Sequence, residues 1–322
     1  MGERTIHRLE PRIYYYTFGP NEPALVVRSG DIVVANTRDA GGFDENMQPI
    51  SDEQKQRSNA TFFPANPLVG PIYVEQARPG DTLVVNIQRI TLNRAYARSK
   101  HLAHLGCLTE EGPGKQLLLN EPVPEKTFDW QMNLDGKVAS LELKESKPKR
   151  IEIPLHPFLG SIGVAPRFGR VEMSLAAGEY GGNMDCVETK ERTRLYLPVW
   201  LQGAYLAFGD VHAAQGDGEI CGVALETTAE VTIKLEVEEG RSVEWPRMED
   251  RTHIMTVGSG RPLMDCVRIA QVELVKWLVD DYGFEKWEAF QVISQVGTMR
   301  IGNVVNPSYT VIAKFPKKYL VD

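Results

Sequence analysis

Short apolar runs separated by turn-forming residues fill the first two-thirds of the chain, and this pattern is the strongest constraint on its fold. Most runs are rich in Val, Ile, Leu and Thr, and Gly, Pro, Asn and Asp separate many of them, as is typical of strands joined by turns. They are Ala24–Val27, Ile32–Asn36, Ile72–Val74, Thr82–Ile87, Arg150–Ile153, Thr193–Leu197 and Val231–Val237. With 42% hydrophobic residues among 322, the chain can bury a large core. The pattern predicts a mainly β protein.

Two turns of similar sequence precede strands in the N-terminal half. Arg28-Ser-Gly-Asp31 and Arg78-Pro-Gly-Asp81 each lead into a run of branched residues. A Gly-Asp turn is a common hairpin device, and the match is too short for a structural repeat. We therefore expect one domain over 1–322, within which an internal duplication with β sub-halves 1–150 and 151–322 remains open.

The C-terminal region has the periodicity of helices. Apolar residues recur in Pro262–Tyr282 at a spacing that suits an amphipathic helix better than a strand. The proline suits the beginning of a helix and Gly283 suits its end. Lys286–Val296 has the pattern of a second helix, so the helical segment covers about 262–296, and Val304–Ala313 has the pattern of a closing strand. We expect both helices to serve packing.

Residues 41–67 form a polar stretch whose main feature is the charged run DEQKQR, beginning at Asp52. A solvated loop or a short helix explains this composition. A lid or a subunit contact is the alternative, because loops of this length often carry function.

The bulk composition excludes several kinds of partner. A net charge of −7 argues against nucleic-acid binding, which needs a basic surface to displace counterions from phosphates. No run approaches the roughly 18 apolar residues of a membrane span, and the N-terminus lacks an apolar core of signal-peptide length.

The four cysteines indicate the compartment. Cys107, Cys186, Cys221 and Cys266 are far apart in sequence, which favours free, buried thiols in a reducing compartment. We expect a cytoplasmic protein.

Gly209–Glu219 (GDVHAAQGDGE) is the segment richest in side chains that can do chemistry. If Ala207–His212 is a strand, its period of two places Asp210 and His212 on one face. Two glycines permit the turn that follows, and Glu219 would then begin the returning strand. Imidazole with carboxylates is the ligand set of a hydrolytic zinc, iron or manganese site. The alternative is a polar turn whose acids face water.

Two further segments carry suitable residues. His156–Pro166 (HPFLGSIGVAP) combines a histidine with two prolines and two glycines, so its backbone could wrap tightly around a ligand. In Gly181–Asp185 (GGNMD), paired glycines permit close approach, while Asn183 and Asp185 offer oxygen donors. Each segment alone could be a structural turn. Because all three lie within residues 156–219, a common site is favoured.

These segments, taken as HPFLGSIGVAP, GGNMD and GDVHAAQGDGEICG, resemble in order and spacing the signature segments of the acetamidase/formamidase family. The likeness extends to ANPLVGPIYVEQARPGDTLVV and RIGNVVNPSYTVIAKFPK, so it covers nearly the whole chain. The resemblance implies a β-sandwich-like fold, here with two C-terminal α-helices, that hydrolyses short amides to a carboxylate and ammonia. It also implies a homo-oligomer and no cysteine or serine nucleophile.

Two regions depart from the family pattern, the loop FDENMQPISDEQKQR and Arg94–Asp135. If they line the mouth of the site, the substrate need not be acetamide or formamide itself. An imide, a urea-like compound or a longer amide is then the alternative. A protein of another class, a β-sandwich binding module whose oxygen-rich turn holds calcium, also remains open.

The residue types suggest how metal-assisted hydrolysis would be divided among them. Asp185, Asp210 and His212 are the expected ligands of a divalent metal ion, with zinc first and manganese, iron or calcium as alternatives. Glu219 is the expected general base and acid. His156 is expected to be a further ligand or an oxyanion donor.

Three other residues complete the hypothesis. Asn183 would hold the substrate amide. Asp39 and Glu75 are acids of the N-terminal half that would close over the site. Their alternative is the role of ordinary surface carboxylates.

Overall fold

The computed structural model describes residues 5–57, 66–103, 105–108 and 123–320. Within these ranges the chain is mainly β, as the short apolar runs predict. The described strands are β1 Ile6–Leu9, β2 Thr17–Phe18, β3 Leu25–Val27, β4 Ile32–Asn36, β5 Leu68–Val74, β6 Thr82–Leu92, β7 Tyr96–His101, β8 Lys126–Asn133, β9 Val138–Glu142, β10 Arg150–Pro154, β11 Phe158–Gly163, β12 Glu172–Met173, β13 Ala177–Gly178, β14 Gly181–Asn183, β15 Thr193–Pro198, β16 Leu206–His212, β17 Glu226–Thr227, β18 Ala229–Glu238, β19 Arg247–Glu249, β20 His253–Gly260, β21 Thr298–Asn303 and β22 Tyr309–Pro316. The α-helices in these ranges are α1 Asp52–Arg57, α2 Leu263–Tyr282 and α3 Lys286–Val296, and short 3-10 turns lie at Arg167–Gly169, Asp217–Glu219 and Lys317–Tyr319.

Two large sheets contain nearly all of these strands. Within the described ranges, one sheet has nine strands in the order β1-β4-β18-β6-β15-β19-β20-β22-β21. The other, counted over the same residues, has eleven: β10-β9-β8-β7-β17-β16-β11-β14-β13, with β5 paired to β16 and β3 to β5. Buried side chains of both sheets, such as Val33 and Ile233 of the first and Leu159 and Phe208 of the second, form one core. The sandwich-like prediction is confirmed.

The burial pattern differs between β18 and β16, the strand that contains Asp210 and His212. Buried and half-buried residues alternate along most of β18, the period of a strand with one face in the core. In contrast, every residue of β16 is buried. Because β16 is central in its sheet and covered on both faces, its polar residues are removed from water and must find partners inside the protein.

Helices α2 and α3 pack on the face of the nine-stranded sheet that points away from the sandwich core. The buried face of α2 consists of Cys266, Ala270, Glu273, Leu274, Trp277 and Leu278. Gly258 of β20 permits this contact, because a Cβ there would lie 2.2 Å from the carbonyl oxygen of Cys266. Pro262 precedes the first turn, and Gly283 ends the helix at φ 68°. The two predicted C-terminal helices are confirmed to within one residue.

The topology corrects one expectation about the organisation of the chain. Val304–Ala313 is not one strand, because residues 304–308 form the bend that joins β21 to β22. Each sheet contains strands from both sides of residue 150, and the possible sub-halves 1–150 and 151–322 stay a prediction. The charged run at Asp52 forms the short helix α1, while residues 58–65 of that loop lie outside the described part of the chain.

Two properties inferred from composition can be compared with the structure. Cys186 and Cys266 are buried as expected, but Cys221 is exposed and Cys107 is half-buried. Among the described residues, no helix is long and apolar enough to cross a membrane.

Candidate active site

Neighbouring strands bring candidate residues from distant parts of the sequence together. Strand β16 pairs with β11 on one side and with β17 and β5 on the other, and β11 pairs with β14. His212 ends β16 and stands opposite Glu226 of β17. Asp210 lies two residues earlier in β16, and Asp185 follows the end of β14. All four side chains are buried.

Gly160 of β11 provides the space in which three of these side chains meet. A Cβ at this position would lie 2.6 Å from Oδ2 of Asp210, 2.9 Å from Oδ1 of Asp185 and 2.9 Å from Cε1 of His212. These separations are too short for non-bonded atoms, so the cluster requires glycine here. The segment HPFLGSIGVAP therefore contributes to the site through Gly160, whose lack of a side chain leaves room for the cluster.

Amide groups hold one oxygen of the Asp185 carboxylate, and the other oxygen differs in its surroundings. Its Oδ2 accepts hydrogen bonds from Nδ2 of Asn183 at 3.2 Å and from Nδ2 of Asn306 at 2.6 Å. Its Oδ1 is buried without a hydrogen-bond donor among the described residues. The neighbouring carboxylate of Glu219 cannot donate when it is ionised. A shared proton or a cation would satisfy both groups.

His212 is surrounded by polar groups and one aromatic ring. Its Nε2 lies 3.3 Å from Oε1 of Glu226 and 3.4 Å from Oδ1 of Asp210. Its Nδ1 lies 2.9 Å from Oε1 of Gln215, and Phe158 packs edge-on against the ring. Oε2 of Glu226 is a second buried oxygen that has no donor in the described ranges. The imidazole thus presents Nε2 to two acids.

Burial and the crowding of like charges shift the pKa values of this cluster. Burial, followed by the charge of Glu219, raises the pKa of Asp185 well above its usual value. Burial also raises the pKa of Glu226 well above its usual value and that of Glu219 to about 7, although His212 opposes both shifts. Burial alone would lower the pKa of His212, but Glu226 and Asp210 raise it. Burial thus favours the protonated form of these acids, and a bound cation would oppose that shift.

Three acids of the site have backbone conformations that non-glycine residues seldom adopt. Asp185, Asp210 and Glu219 have φ values of 46°, 56° and 47°, in the left-handed region. Strained residues persist where the surrounding structure holds them, and they cluster at functional sites. The strain therefore supports a functional interpretation of this cluster.

The cluster fits a divalent metal ion. In the described part of the chain, two overlapping groups have ligand atoms that all lie within 4.8 Å of one another: Asp185 with His212 and Glu219, and Asp210 with His212 and Glu226. Imidazole and carboxylate are ligands that zinc and related ions accept. Asp185 and Glu226 belong to different groups, and each has an oxygen that accepts no hydrogen bond from the described residues, so a cation is a suitable partner for either oxygen.

Two of the predicted residues lie apart from this cluster. The His156 side chain is exposed, and its backbone N–H bonds to the carbonyl of Ala213. A position in solvent does not suit a ligand or an oxyanion donor in a buried site. Glu75 is also exposed and pairs with Arg28, so the structure gives it the alternative role of a surface carboxylate.

Asp39 lies nearer to the site. It is buried and forms an ion pair with Arg94, with 2.8 Å between Oδ2 and Nη2. Its charge helps to raise the pKa of Glu226, so it borders the cluster without having its own contact with His212.

Asn183 is inside the cluster, but its side-chain amide is already hydrogen-bonded to other protein groups. Its Nδ2 donates to Asp185, and its Oδ1 accepts hydrogen bonds from Oγ of Ser161 and from Nδ2 of Asn66. This arrangement orients Asp185. The substrate contact expected of Asn183 stays a prediction.

Glu219 reaches the cluster from the 3-10 turn Asp217–Glu219, not from the head of a strand. The returning strand begins at Glu226, a residue of the cluster that was not predicted from the sequence. Ser161, Gln215 and Asn306, which bond the site residues directly, were not predicted either. The available signals were weak: a serine in an apolar strand, a glutamine in the polar turn, and an asparagine before a proline.

Comparison with known proteins then assigns the family. Residues 170–318 match the model of the acetamidase/formamidase family. An acetamidase structure from Yersinia enterocolitica superposes with a TM-score of 0.86 and 35% identity, covering 100% of this chain and 94% of that chain. The chain belongs to the acetamidase/formamidase family. An acetamidase from Bacillus halodurans, another similar structure, superposes with a TM-score of 0.79 at 30% identity, covering 97% of this chain and 98% of that chain.

Curated relatives match over a shorter stretch. A putative formamidase of Schizosaccharomyces pombe is 44% identical over 210 residues, which are 53% of this chain and 51% of that protein. The chain spans about half the length of the curated relatives it matches. Of Arg94–Asp135, which departs from the family pattern, residues 104 and 109–122 lie outside the described ranges.

Proposed function

We propose that this protein hydrolyses a short-chain amide to a carboxylate and ammonia, using water activated by a divalent metal ion. The observation that carries the proposal is the buried cluster of acids around His212, in which Asp185 and Glu226 each have an oxygen to which no described residue donates. Membership of the acetamidase/formamidase family supports the reaction. An amide is a poor electrophile with a poor leaving group, so hydrolysis needs an activated water, a polarised carbonyl and a proton for the departing nitrogen.

In this proposal Asp185, Asp210 and His212 hold the metal ion, and Glu226 joins them. Zinc is the first choice, with manganese, iron or calcium as alternatives. A bound divalent metal ion supplies two of the three requirements, because it lowers the pKa of its water to about 7 and polarises a carbonyl. Oγ of Ser161 lies 3.2 Å from Oδ2 of Asp210, and its one proton is shared between that oxygen and Oδ1 of Asn183.

Glu219 is the proposed general base and acid. Its pKa of about 7 means that both protonation states are populated near neutral pH, as a group that accepts and returns a proton requires. It lies among ligand atoms of Asp185 and His212 that are within 4.8 Å of one another. It is therefore placed to take a proton from water and deliver it to the amide nitrogen.

The substrate class is tested by ammonia release from a panel of formamide, acetamide, longer amides, imides and urea, with and without a chelator. We expect release from a linear amide that stops on chelation and returns with zinc. Ammonia release from an imide or urea alone would show that the substrate belongs to the alternative class. Elemental analysis provides a second measurement, since bound calcium without hydrolysis would favour a binding module.

Replacing Glu219 with glutamine should lower kcat by at least about 100-fold, since a positioned acid-base group contributes that much or more. The metal content, measured by elemental analysis, should stay unchanged. Asp217→Asn, at an exposed acid of the same turn, is the matched control and should keep wild-type kcat. Unchanged turnover in Glu219→Gln would remove Glu219 from this role, and loss of the metal would make it a ligand.

We also propose that the protein forms a homo-oligomer. Trp287 and Phe290 of α3 are 66% and 55% exposed, and Met299 of the next strand is 54% exposed. Trp287 and Phe290 are three residues apart and therefore lie on one face of α3, and an exposed apolar patch is typical of protein interfaces. Sedimentation equilibrium at micromolar concentration should give a mass of two or more chains, and a monomer would contradict the proposal.

A further inference from the structure

Gln215 joins three parts of the molecule through one side-chain amide. Its Oε1 lies 2.9 Å from Nδ1 of His212. Its Nε2 donates to the backbone carbonyl of Asp185 at 3.0 Å and to that of Gly302 at 2.9 Å. The residue therefore contacts two proposed metal ligands and the C-terminal hairpin.

The two carbonyl groups fix the orientation of this amide. A carbonyl oxygen cannot donate a hydrogen bond, so the atom of Gln215 that faces Asp185 and Gly302 must be the NH2 group. Its two protons match the two acceptors. Oε1 therefore faces His212, and because an amide oxygen only accepts, Nδ1 of His212 must carry a proton.

A proton on Nδ1 determines what the other ring nitrogen can do. Neutral imidazole protonated at Nδ1 has its lone pair on Nε2. Nε2 is the atom that lies 3.3 Å from Glu226 and 3.4 Å from Asp210. The nitrogen with the lone pair is thus the one that faces the other ligands. A rotated ring would lose its hydrogen bond to Gln215.

We propose that Gln215 is a positioning residue, which holds His212 in its Nδ1-protonated form and presents Nε2 to the metal ion. The inference rests on the proposed function, because it concerns the same metal. The NH2 group has a second effect: it anchors the backbone carbonyl of Asp185, a residue with φ of 46°. The two ligands are therefore fixed relative to each other by one side chain.

Two substitutions separate these effects. Gln215→Met keeps the length of the side chain but removes all three hydrogen bonds. Gln215→Glu keeps an acceptor for Nδ1–H and loses both N–H donors. Gln291→Met, at an exposed position of α3, is the matched control. Zinc affinity is measured by competition with a chelating dye, and the Nδ1–H proton is observed by NMR of protein labelled with 15N-histidine, with and without zinc.

Gln215→Met should lower zinc affinity by about 10- to 100-fold, the usual cost of losing the partner of a ligating histidine. Gln215→Glu should recover most of this loss, and Gln291→Met should match wild type. The Nδ1–H signal should be shifted downfield by its hydrogen bond in wild type and Gln215→Glu and should lose that shift in Gln215→Met. Wild-type affinity in Gln215→Met, or equal weakness in both Gln215 variants, would overturn the proposal.

The NMR measurement separates this inference from the proposed function. If wild type takes up no metal, the proposed function fails, while the absence of a hydrogen-bonded Nδ1–H signal in metal-free wild type would separately contradict the role of Gln215. If Gln215→Met does not fold, wild type and Gln215→Glu decide it, since a missing Nδ1–H signal in both contradicts the assignment.

Discussion

At the scale of single residues, the candidate site depends as much on the space left by a glycine as on reactive groups. Gly160 is the clearest example, because a Cβ at this position would collide with Asp210, Asp185 and His212. Its φ does not lie in the left-handed region, so alanine could adopt the backbone conformation. The need for glycine is therefore a matter of space inside the cluster.

Gly160→Ala should consequently disrupt the site more than the fold. We expect metal affinity and kcat to fall by at least about 10-fold, since ligands must stay within a few tenths of an ångström of their positions. Gly216→Ala is the matched control, because a Cβ there meets no atom within 4 Å. Zinc titration and amide hydrolysis measure the effect. Equal behaviour of the two variants would show that the cluster tolerates the added methyl group.

Single residues were also where prediction from sequence succeeded only in part. The structure brings Asp185, Asp210, His212 and Glu219 together, as the motifs suggested. It leaves His156 in solvent, because proximity in sequence to a buried strand does not determine where a side chain points.

At the scale of elements, helix α2 shows how a charged residue can be part of a packed face. Glu273 is 2% exposed and lies 3.3 Å from Nη2 of Arg247, in β19. Arg247 is also buried and lies over the ring of Trp277. Removing one partner of a buried pair leaves the other charge uncompensated.

Glu273→Gln should therefore lower the free energy of unfolding by about 3 kcal/mol. Asp265→Asn serves as the control on the same helix, because Asp265 pairs with Arg268 in solvent. Its expected effect is below about 1 kcal/mol. Urea denaturation monitored by tryptophan fluorescence compares them. Similar losses in both variants would mean that the Arg247–Glu273 pair contributes no more than a surface pair.

At the scale of the whole molecule, the fold places a set of acids where water cannot solvate them. Burial raises the pKa of Glu219 from its usual 4.5 to about 7. A carboxyl group with a raised pKa in the folded state favours folding when protonated. Its contribution is fully present below about pH 4.5 and is lost as the pH rises through about 7. Asp185 and Glu226 shift in the same direction.

The metal-free protein should therefore lose stability between pH 5 and pH 8. Glu219 alone accounts for a change on the order of 3 kcal/mol, so metal-free Glu219→Gln should show a smaller pH dependence. Saturating zinc should restore stability at pH 8, because a ligand that binds only the folded state stabilises it. Urea denaturation at pH 5 and pH 8, in chelator and in zinc, measures these changes in the free energy of unfolding. An unchanged pH dependence in Glu219→Gln would contradict this expectation.

The sequence by itself located the two C-terminal helices and several of the strands, because the period at which apolar residues recur differs between helices and strands. The spacing of apolar residues located α2 and α3, and a proline and a glycine marked the ends of α2. The tertiary structure decided which side chains complete the site. Glu226 faces His212 through the register of β17 with β16, and Asn306 reaches Asp185 from a hairpin of the other sheet. Such contacts join residues far apart in the chain, and only the packing of the two sheets sets them.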